Sequence, residues 1–499
     1  MVILLNPQSA RHSFRVPNSI LTIGAFLEGK YDYFVVDENL NRQAEKTISE
    51  LVNEKGCKYL GITVMPALQL HRAVDISKNL KSKFPNLTII WGGYFPSLHP
   101  NTVLKSDYVD YVIKGHAELS FPELLDTLEK KPGSKNLSEI DGLSYKQNNE
   151  ILHNKKADVI NPDLIPQLSY NKAEMERYLH PGTTFLGPRT MAYHSSVGCP
   201  FLCGFCAVAG VYKGRWIGRS AQLVADDLRF LKQNYNIGAV EFHDNNFFVS
   251  EKRCYDISEK IIDLKLGWWG EARPDTMMKF SDDTWEIMSR AGCKMIFYGA
   301  ESSSEDILKL MDKGGTQTPA TVLELAERAK KYKIVPEFSF VLGSPTNNID
   351  KDIDNDIKYI KEVKKINPDS EIIIYTYSPV NFEDSEMSLA AKMKGFNYPQ
   401  SLEEWVSPHW ANFDMRKNPL TPWLKARHFN KIRNFEKTLN GYYPTKSDLK
   451  IKGWRKSILR MSSWLRYKTS IYAAPYEVWA LQKLLRYRQP EVEGFAFEE

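Results

Sequence analysis

Cysteine is scarce in this chain: there are six in 499 residues, and three of them fall between positions 199 and 206. So few thiols exclude a disulfide framework and suit a reducing compartment, so a cytoplasmic setting is expected. Long hydrophobic runs are also missing, and none approaches the length of a membrane span. The opening Met1-Val-Ile-Leu-Leu-Asn-Pro7 lacks a basic n-region and an extended apolar stretch, so it reads as a buried strand and not as a signal peptide. Charge of one sign is weak. The net value of +5 is slight for this length and gives no reason to expect nucleic acid as a partner. Internal repeats and low-complexity tracts are absent. What remains is a globular composition, 42% hydrophobic, 12% aromatic and 25% charged, on a chain long enough for about two to four domains.

The clustered cysteines lie in Ser195-Ser-Val-Gly-Cys-Pro-Phe-Leu-Cys-Gly-Phe-Cys206, a C-x3-C-x2-C pattern that puts three thiolates on one short loop. Soft thiolates are the usual ligands of cuboidal iron–sulfur clusters, normally four of them. Three ligands leave one iron open to chelate a substrate. A structural zinc site wants four ligands, usually as paired C-x2-C units, and the sequence has no second pair. Cys57, Cys254 and Cys293 are scattered and read as buried free thiols. The spacing of Cys199, Cys203 and Cys206, with the aromatic Phe205 before the last of them, resembles the radical S-adenosylmethionine (SAM) enzymes. The resemblance implies a [4Fe-4S] cluster on these cysteines, with SAM chelated at the open iron. In that superfamily the reduced cluster splits SAM into methionine and a 5′-deoxyadenosyl radical.

Residues 1–130 alternate apolar runs (Val2–Leu5, Tyr33–Val36, Tyr59–Val64, Leu87–Trp91, Tyr108–Ile113) with amphipathic stretches such as Ala44–Asn53 and Leu70–Phe84. That rhythm predicts an α/β, Rossmann-like, doubly wound parallel sheet whose ligand sits at the carboxyl ends of its strands. Those ends carry Asn6, Asp37, Thr63, Gly92-Gly93 and Gly115-His-Ala-Glu118. Gly92-Gly93 followed by Pro96 and Pro100, then Val109-Asp110-Tyr111 and Gly115-x-x-Glu118, is similar to the cobalamin-binding domain in front of many radical SAM enzymes. The resemblance implies cobalamin at Asn6, Thr63, Gly92, Gly93, Gly115 and Glu118. One departure matters. Where many cobalamin domains have a D-x-H-x-x-G motif, Asp37-Glu-Asn-Leu-Asn-Arg42 has no histidine, so no cobalt ligand is expected from that loop. A front domain without cobalamin is the alternative. His71, His99 and His116 lie near strand ends, where a lone histidine more often packs or hydrogen-bonds than ligates.

Residues 131–185 read as a connector. Gly142–Tyr145 and Glu150–His153 form a hairpin around Lys146–Asn149, and Pro162, Pro166 and Pro181-Gly182 follow. Between residues 186 and 380, candidate strands Ala192–Val197, Ala239–Phe242, Leu266–Trp269, Met295–Tyr298, Glu337–Leu342 and Glu371–Tyr377 alternate with helix-like stretches. Six such units predict a partial (β/α)6 barrel with its chemistry at the C-terminal strand ends. His243-Asp-Asn-Asn-Phe247, Gly299-Ala-Glu-Ser302 and Met311-Asp-Lys-Gly314 are similar to stretches of cobalamin-type radical SAM proteins. Strand-end chemistry and this resemblance together suggest SAM contacts at Asp244 (amino group), Arg273 (carboxylate), Glu301 (ribose), Gly343 (adenine) and Phe205.

Residues 381–499 are expected to form a mainly helical cap over the barrel mouth. They carry Trp405, Trp410, Trp423, Trp454, Trp464 and Trp479 and a basic stretch from Lys446 to Lys468. A peripheral membrane surface is the second reading of this segment. The whole points to an enzyme of the branch that includes the anaerobic magnesium-protoporphyrin ester cyclase and radical SAM C-methyltransferases. It would modify an unactivated carbon of a small molecule by methylation or oxidative cyclisation, with a flavodoxin or ferredoxin as electron donor. The non-enzyme alternative is a zinc-stabilised cobalamin or nucleotide sensor.

Overall fold

The computed structural model describes residues 1–9, 15–179, 184–313, 316–381, 385–410, 413 and 418–487. Pro181-Gly182 of the connector and Gly314 of the Met311–Gly314 run lie outside them. The N-terminal sheet contains β1 (Val2–Asn6), β2 (Tyr33–Asp37), β3 (Tyr59–Thr63), β4 (Thr88–Gly92), β5 (Tyr111–Ile113), β6 (Leu143–Gln147) and β7 (Glu150–His153), in the order β2-β1-β3-β4-β5-β6-β7. The first five strands are parallel, and apolar cores on both faces explain their near-continuous hydrophobic runs. In this order the switch point lies between β1 and β3, where a ligand crevice opens at the carboxyl ends. The connector hairpin extends this sheet, because β6 pairs antiparallel with β5. Its turn residues Asn148 and Asn149 both have positive φ, 51° and 63°, the backbone a tight hairpin needs.

The second sheet contains β8 (Thr190–Tyr193), β11 (Ala239–Phe242), β12 (Gly267–Ala272), β13 (Cys293–Glu301), β14 (Val335–Leu342) and β15 (Glu371–Thr376), all parallel and adjacent in chain order. The expected strand 192–197 is broken. β8 stops at Tyr193, and the chain resumes as β9 (Ser196–Gly198), which pairs antiparallel with β10 (Trp216–Gly218). This small ribbon carries the cysteine loop.

The expected single cap divides in two. In its first part the helix Glu386–Met393 packs beside Phe205, and the Ser385 hydroxyl donates to the Gly204 carbonyl at 3.0 Å. Further along, Leu402 and Trp405 enter the core of the N-terminal sheet. This part therefore ties the cysteine loop to both sheets. In the second part, helices Ala426–Tyr442 and Trp454–Thr469 do not cover the mouth. They buttress the outside of the barrel, where Tyr442 stacks on Tyr467 at 4.5 Å and Ser447 donates to both oxygens of Glu371 on β15 at 2.7 Å.

Candidate active site

The cysteine loop is held from the strand break below it. Asp244, fully buried just past β11, accepts the Ser195 and Ser196 amides at 2.6 and 2.7 Å and the Ser195 hydroxyl at 2.5 Å. Arg253 donates to the Ser195 carbonyl and hydroxyl at 2.6 and 2.7 Å. Gly198 then turns the chain at φ 80°, and a Cβ there would meet the Arg215 carbonyl at 2.1 Å, so only glycine fits. Within the loop, the Cys206 amide donates to the Cys203 carbonyl at 3.0 Å, and the Gly204 amide donates to the Met311 carbonyl at 3.0 Å. Burial pushes the Cys206 thiol up to about 12, aided by the neighbouring Cys203, and burial also raises Cys199. Coordination to iron would offset the cost of holding these sulfurs as buried thiolates.

This donor set fits an iron–sulfur cluster. Three soft sulfurs lie on one loop, the Arg273 guanidinium donates to Cys203 Sγ at 3.4 Å, and the buried amide of Asn246 lies beside Cys199. Among the described residues, no three His, Cys, Asp or Glu side chains are gathered as a single metal ion requires.

The residues expected to cradle SAM are mostly engaged with other groups of the chain in the structure. Asp244 does not face the mouth: its carboxylate is taken up by the strand break, so it holds the loop and is not free for an amino group. Arg273 forks onto Asp275 at 3.0 and 3.1 Å, and Phe201 lies flat against its guanidinium, whose centre is 4.1 Å from the ring centroid. Within the chain its guanidinium is thus turned to Asp275 and Cys203. Glu301 is buried and paired with Lys313 at 2.6 Å, so its carboxylate is no longer a free ribose acceptor. Gly343, at φ 82°, is approached by Leu424, which a Cβ would meet at 2.9 Å, and its carbonyl accepts from the Trp423 indole at 2.9 Å. Within the chain, the closely approaching group is the C-terminal segment. Phe205 lies beside the loop with Lys313 Nζ 5.7 Å from its ring centre. Other buried polar groups follow the strand ends: the Asn246 amide, beside Cys199, and the hydroxyls of Ser344 and Ser378, just past β11, β14 and β15. A strand end followed by Ser-Pro marks both serines in the sequence, at Ser344-Pro345 and Ser378-Pro379, and was the signal available for them.

At the switch point of the first sheet opens a cavity of about 810 Å³, bordered by Asn6, Thr63, Gly92, Gly93, Gly115 and Glu118 together. Its far wall belongs to the barrel and includes His194, Ser196, His243 and Asn245. Gly93, at φ 98°, packs so closely that a Cβ would lie 2.9 Å from the Val64 backbone. Gly115, at φ 74°, donates its amide to Ser97 Oγ at 2.8 Å. Asn6 is tied on both sides, donating to Asp37 at 3.0 Å and accepting from Gln69 at 2.9 Å. At the cavity wall His116 Nε2 is buried without a hydrogen-bond partner, and Glu118 Oε2 lies 3.4 Å from His116 Nδ1. An orphaned ring nitrogen beside a glycine-smoothed wall fits a large guest rich in amides, as cobalamin is. Asn39 faces away from the cavity, accepting from the Ser9 amide at 3.0 Å and donating to Asp37 at 2.7 Å. His99 sits in an aromatic box of Phe95, Tyr398 and Trp405.

Tyr94 was not singled out from the sequence. It lies between the cavity and the loop: its hydroxyl donates to Asn245 at 3.1 Å, and its ring packs 6.4 Å from Tyr212, which ends the helix following Cys206. Tyr212 in turn meets His116 edge-on at 5.3 Å. Deeper in the barrel, His243 meets Glu241 at 2.8 Å. Burial alone would raise that carboxyl, yet Arg15 and His243 bring it down to about 2.

Comparison with known proteins agrees with this geometry. The radical SAM superfamily matches residues 193–367 and the B12 binding domain matches residues 15–125. The chain is 29% identical to an uncharacterised methyltransferase of Pyrococcus horikoshii over 70% of its own length and 73% of the relative's. It is 24% identical to the anaerobic magnesium-protoporphyrin IX monomethyl ester cyclase of Synechocystis sp., over 65% of the chain and 66% of the relative. In fold it resembles the radical SAM methyltransferase TsrM from Kitasatospora setae, with a TM-score of 0.65 and 14% identity over 97% of this chain and 98% of that one. It also resembles the cobalamin-dependent radical SAM enzyme OxsB, with a TM-score of 0.68 and 18% identity over 97% and 75%. The chain therefore carries a B12-binding domain, residues 15–125, in front of a radical SAM domain, residues 193–367.

Proposed function

We propose that this enzyme transfers a methyl group to an unactivated carbon of a small molecule held between its two sheets. The observation that supports this reading is the shared cavity, bordered on one side by strand ends of the B12-binding domain and on the other by His194, His243 and Asn245 of the barrel. In this reading Cys199, Cys203 and Cys206 hold the [4Fe-4S] cluster, SAM lies beside Phe205, Asn246, Ser344 and Ser378, and Asn6, Thr63, Gly92, Gly93, Gly115 and Glu118 border cobalamin. When bound, these groups supply the 5′-deoxyadenosyl radical and the transferable methyl. The protein's own part is to hold and to shield. Asp244 and Arg253 fix the loop, the Tyr94–Asn245 hydrogen bond closes the passage between the two cofactor regions, and the helix Glu386–Met393 with Trp423 and Leu424 keeps water from the mouth. A reductant of the flavodoxin or ferredoxin type and a cytoplasmic setting complete the reading. Among the described residues no helix is long and apolar enough to cross a membrane.

The test is an anaerobic incubation of the reconstituted enzyme with cobalamin, a reductant, a cell extract and SAM bearing a deuterated methyl group. A metabolite that gains the labelled methyl supports the proposal. A dehydrogenated or ring-closed product without label would replace it with the cyclase reading, which the 24% identical cyclase makes the second candidate.

A further inference from the structure

The helix Trp454–Thr469 has two apolar faces, and only one of them is used. Leu459, Ser463 and Tyr467, spaced by four, are buried against the barrel side. There Tyr467 stacks on Tyr442, and its carbonyl accepts from Lys361 at 2.9 Å. On the opposite face Trp454, Ile458, Met461 and Leu465 follow one another at the three- and four-residue spacing of a single stripe, and all are exposed, Met461 by 76% and Leu465 by 61%. The eleven residue steps from Trp454 to Leu465 make that stripe about 16 Å long. Trp464 borders it, and Ile471 and Tyr476 continue the exposed apolar surface into the next turn. The helix is held in place, since Arg466 binds Glu477 and the Ala473 carbonyl and so locks it to the helix Tyr476–Leu484.

Charge says what covers this face. Residues 446–487 contain ten Lys or Arg and two Asp or Glu, an excess larger than the net +5 of the entire chain. Of the two acids, Asp448 is buried and Glu477 is paired with Arg466, so the surface around the stripe is cationic. Arg455, Lys456, Arg460 and Lys468 lie on the same helix, and all are exposed. A soluble protein seldom leaves such a patch bare. An apolar stripe with tryptophan, flanked by Lys and Arg, matches the interface of a bilayer bearing anionic headgroups: the aromatic and aliphatic groups enter the acyl boundary and the cations meet the phosphates. We propose that this helix docks the enzyme onto an anionic lipid surface. The proposal is independent of the chemistry assigned to the active site.

The test is co-sedimentation of the full chain, which includes Glu491, Glu493, Glu498 and Glu499 beyond the described residues, with vesicles of phosphatidylcholine alone or with phosphatidylglycerol added. Binding is expected to the mixed vesicles and to fall roughly tenfold or more when salt is raised. Met461→Glu with Leu465→Glu, and separately Lys456→Glu with Arg460→Glu, should each lower binding by at least about tenfold. All four side chains are exposed, and an unchanged iron content and thermal midpoint would show that the fold is intact. Failure of the native chain to bind mixed vesicles, equal binding to neutral ones, or full binding by the Met461/Leu465 variant would overturn the proposal. So would a concentration-dependent dimer abolished by that variant, which would assign the stripe to a second copy of the chain.

Discussion

Arg273 holds Asp275 with two of its nitrogens and points the third at Cys203 Sγ, 3.4 Å away. A fixed cation beside a ligating thiolate favours the more negative, reduced state of any cluster bound there. Arg273→Gln should therefore leave iron loading near normal while shifting the cluster potential negative, on the order of tens of millivolts, and slowing reductive SAM cleavage. Potentiometry read by electron paramagnetic resonance checks this, and an unchanged potential would remove Arg273 from the site. By contrast, Cys199→Ala, Cys203→Ala or Cys206→Ala should abolish iron binding. Replacement of the buried Cys57, Cys254 or Cys293 should leave iron content unchanged.

Asp244 offers a sharper distinction. Were it a SAM contact, Asp244→Ala would weaken SAM binding at normal iron content. Its three hydrogen bonds run instead to Ser195 and Ser196, four and three residues before Cys199. Losing them leaves buried amides unsatisfied, at roughly 1–3 kcal/mol each. Iron loading itself should then fall, by half or more in parallel anaerobic reconstitutions of variant and native protein. Full loading with weakened SAM binding would restore the substrate-contact role.

The loss of that role shows where sequence reading ends. The parallel strands were legible because burial on both faces writes continuous apolar runs such as Tyr59–Val64. The glycines at 93 and 115 were legible because positive φ leaves few alternatives there. Asp244, Arg273 and Glu301 were placed correctly at strand ends, but a strand end does not say whether a charge faces the mouth or a neighbour. Asp275 and Lys313, which claim Arg273 and Glu301, are decided by tertiary geometry alone. The break at His194-Ser195 was likewise missed, because the polar His194-Ser195-Ser196 within Ala192–Val197 does not say that Asp244 and Arg253 will hold a kink there.

Glu301 and Lys313 form a buried pair, with Lys313 Nζ also donating to the Gly299 carbonyl at 2.8 Å. Removing one partner strands the other's charge, whereas removing both does not. Lys313→Met should cost about 3–5 kcal/mol of barrel stability in urea, followed by tryptophan fluorescence. Adding Glu301→Gln should recover a clear part of the loss. A double variant no more stable than the single one would mean that the pair is not coupled as the geometry implies.

The last expectation concerns pH and the seam between the B12-binding domain and the C-terminal segment. His99 lies 5.0 Å from Phe95, 5.3 Å from Trp405 and 5.6 Å from Tyr398, ring to ring, and burial brings its pKa down to about 4 from the ordinary 6.5. The folded state thus keeps His99 neutral over a range in which the unfolded chain is already protonated. Because the unfolded state binds more protons there, stability falls as pH drops from about 6.5 to about 4 and levels off below that. His99 contributes roughly 1–3 kcal/mol of this loss. His99→Phe keeps the aromatic box without a titrating group, so its urea midpoint should fall less than that of the native protein over the same interval. Equal acid sensitivity in the two proteins would show that another group governs the seam. Since Trp405 anchors the segment 385–424, acidification should also loosen that segment, read as faster proteolysis within it at pH values below about 5 in the native protein but not in the variant.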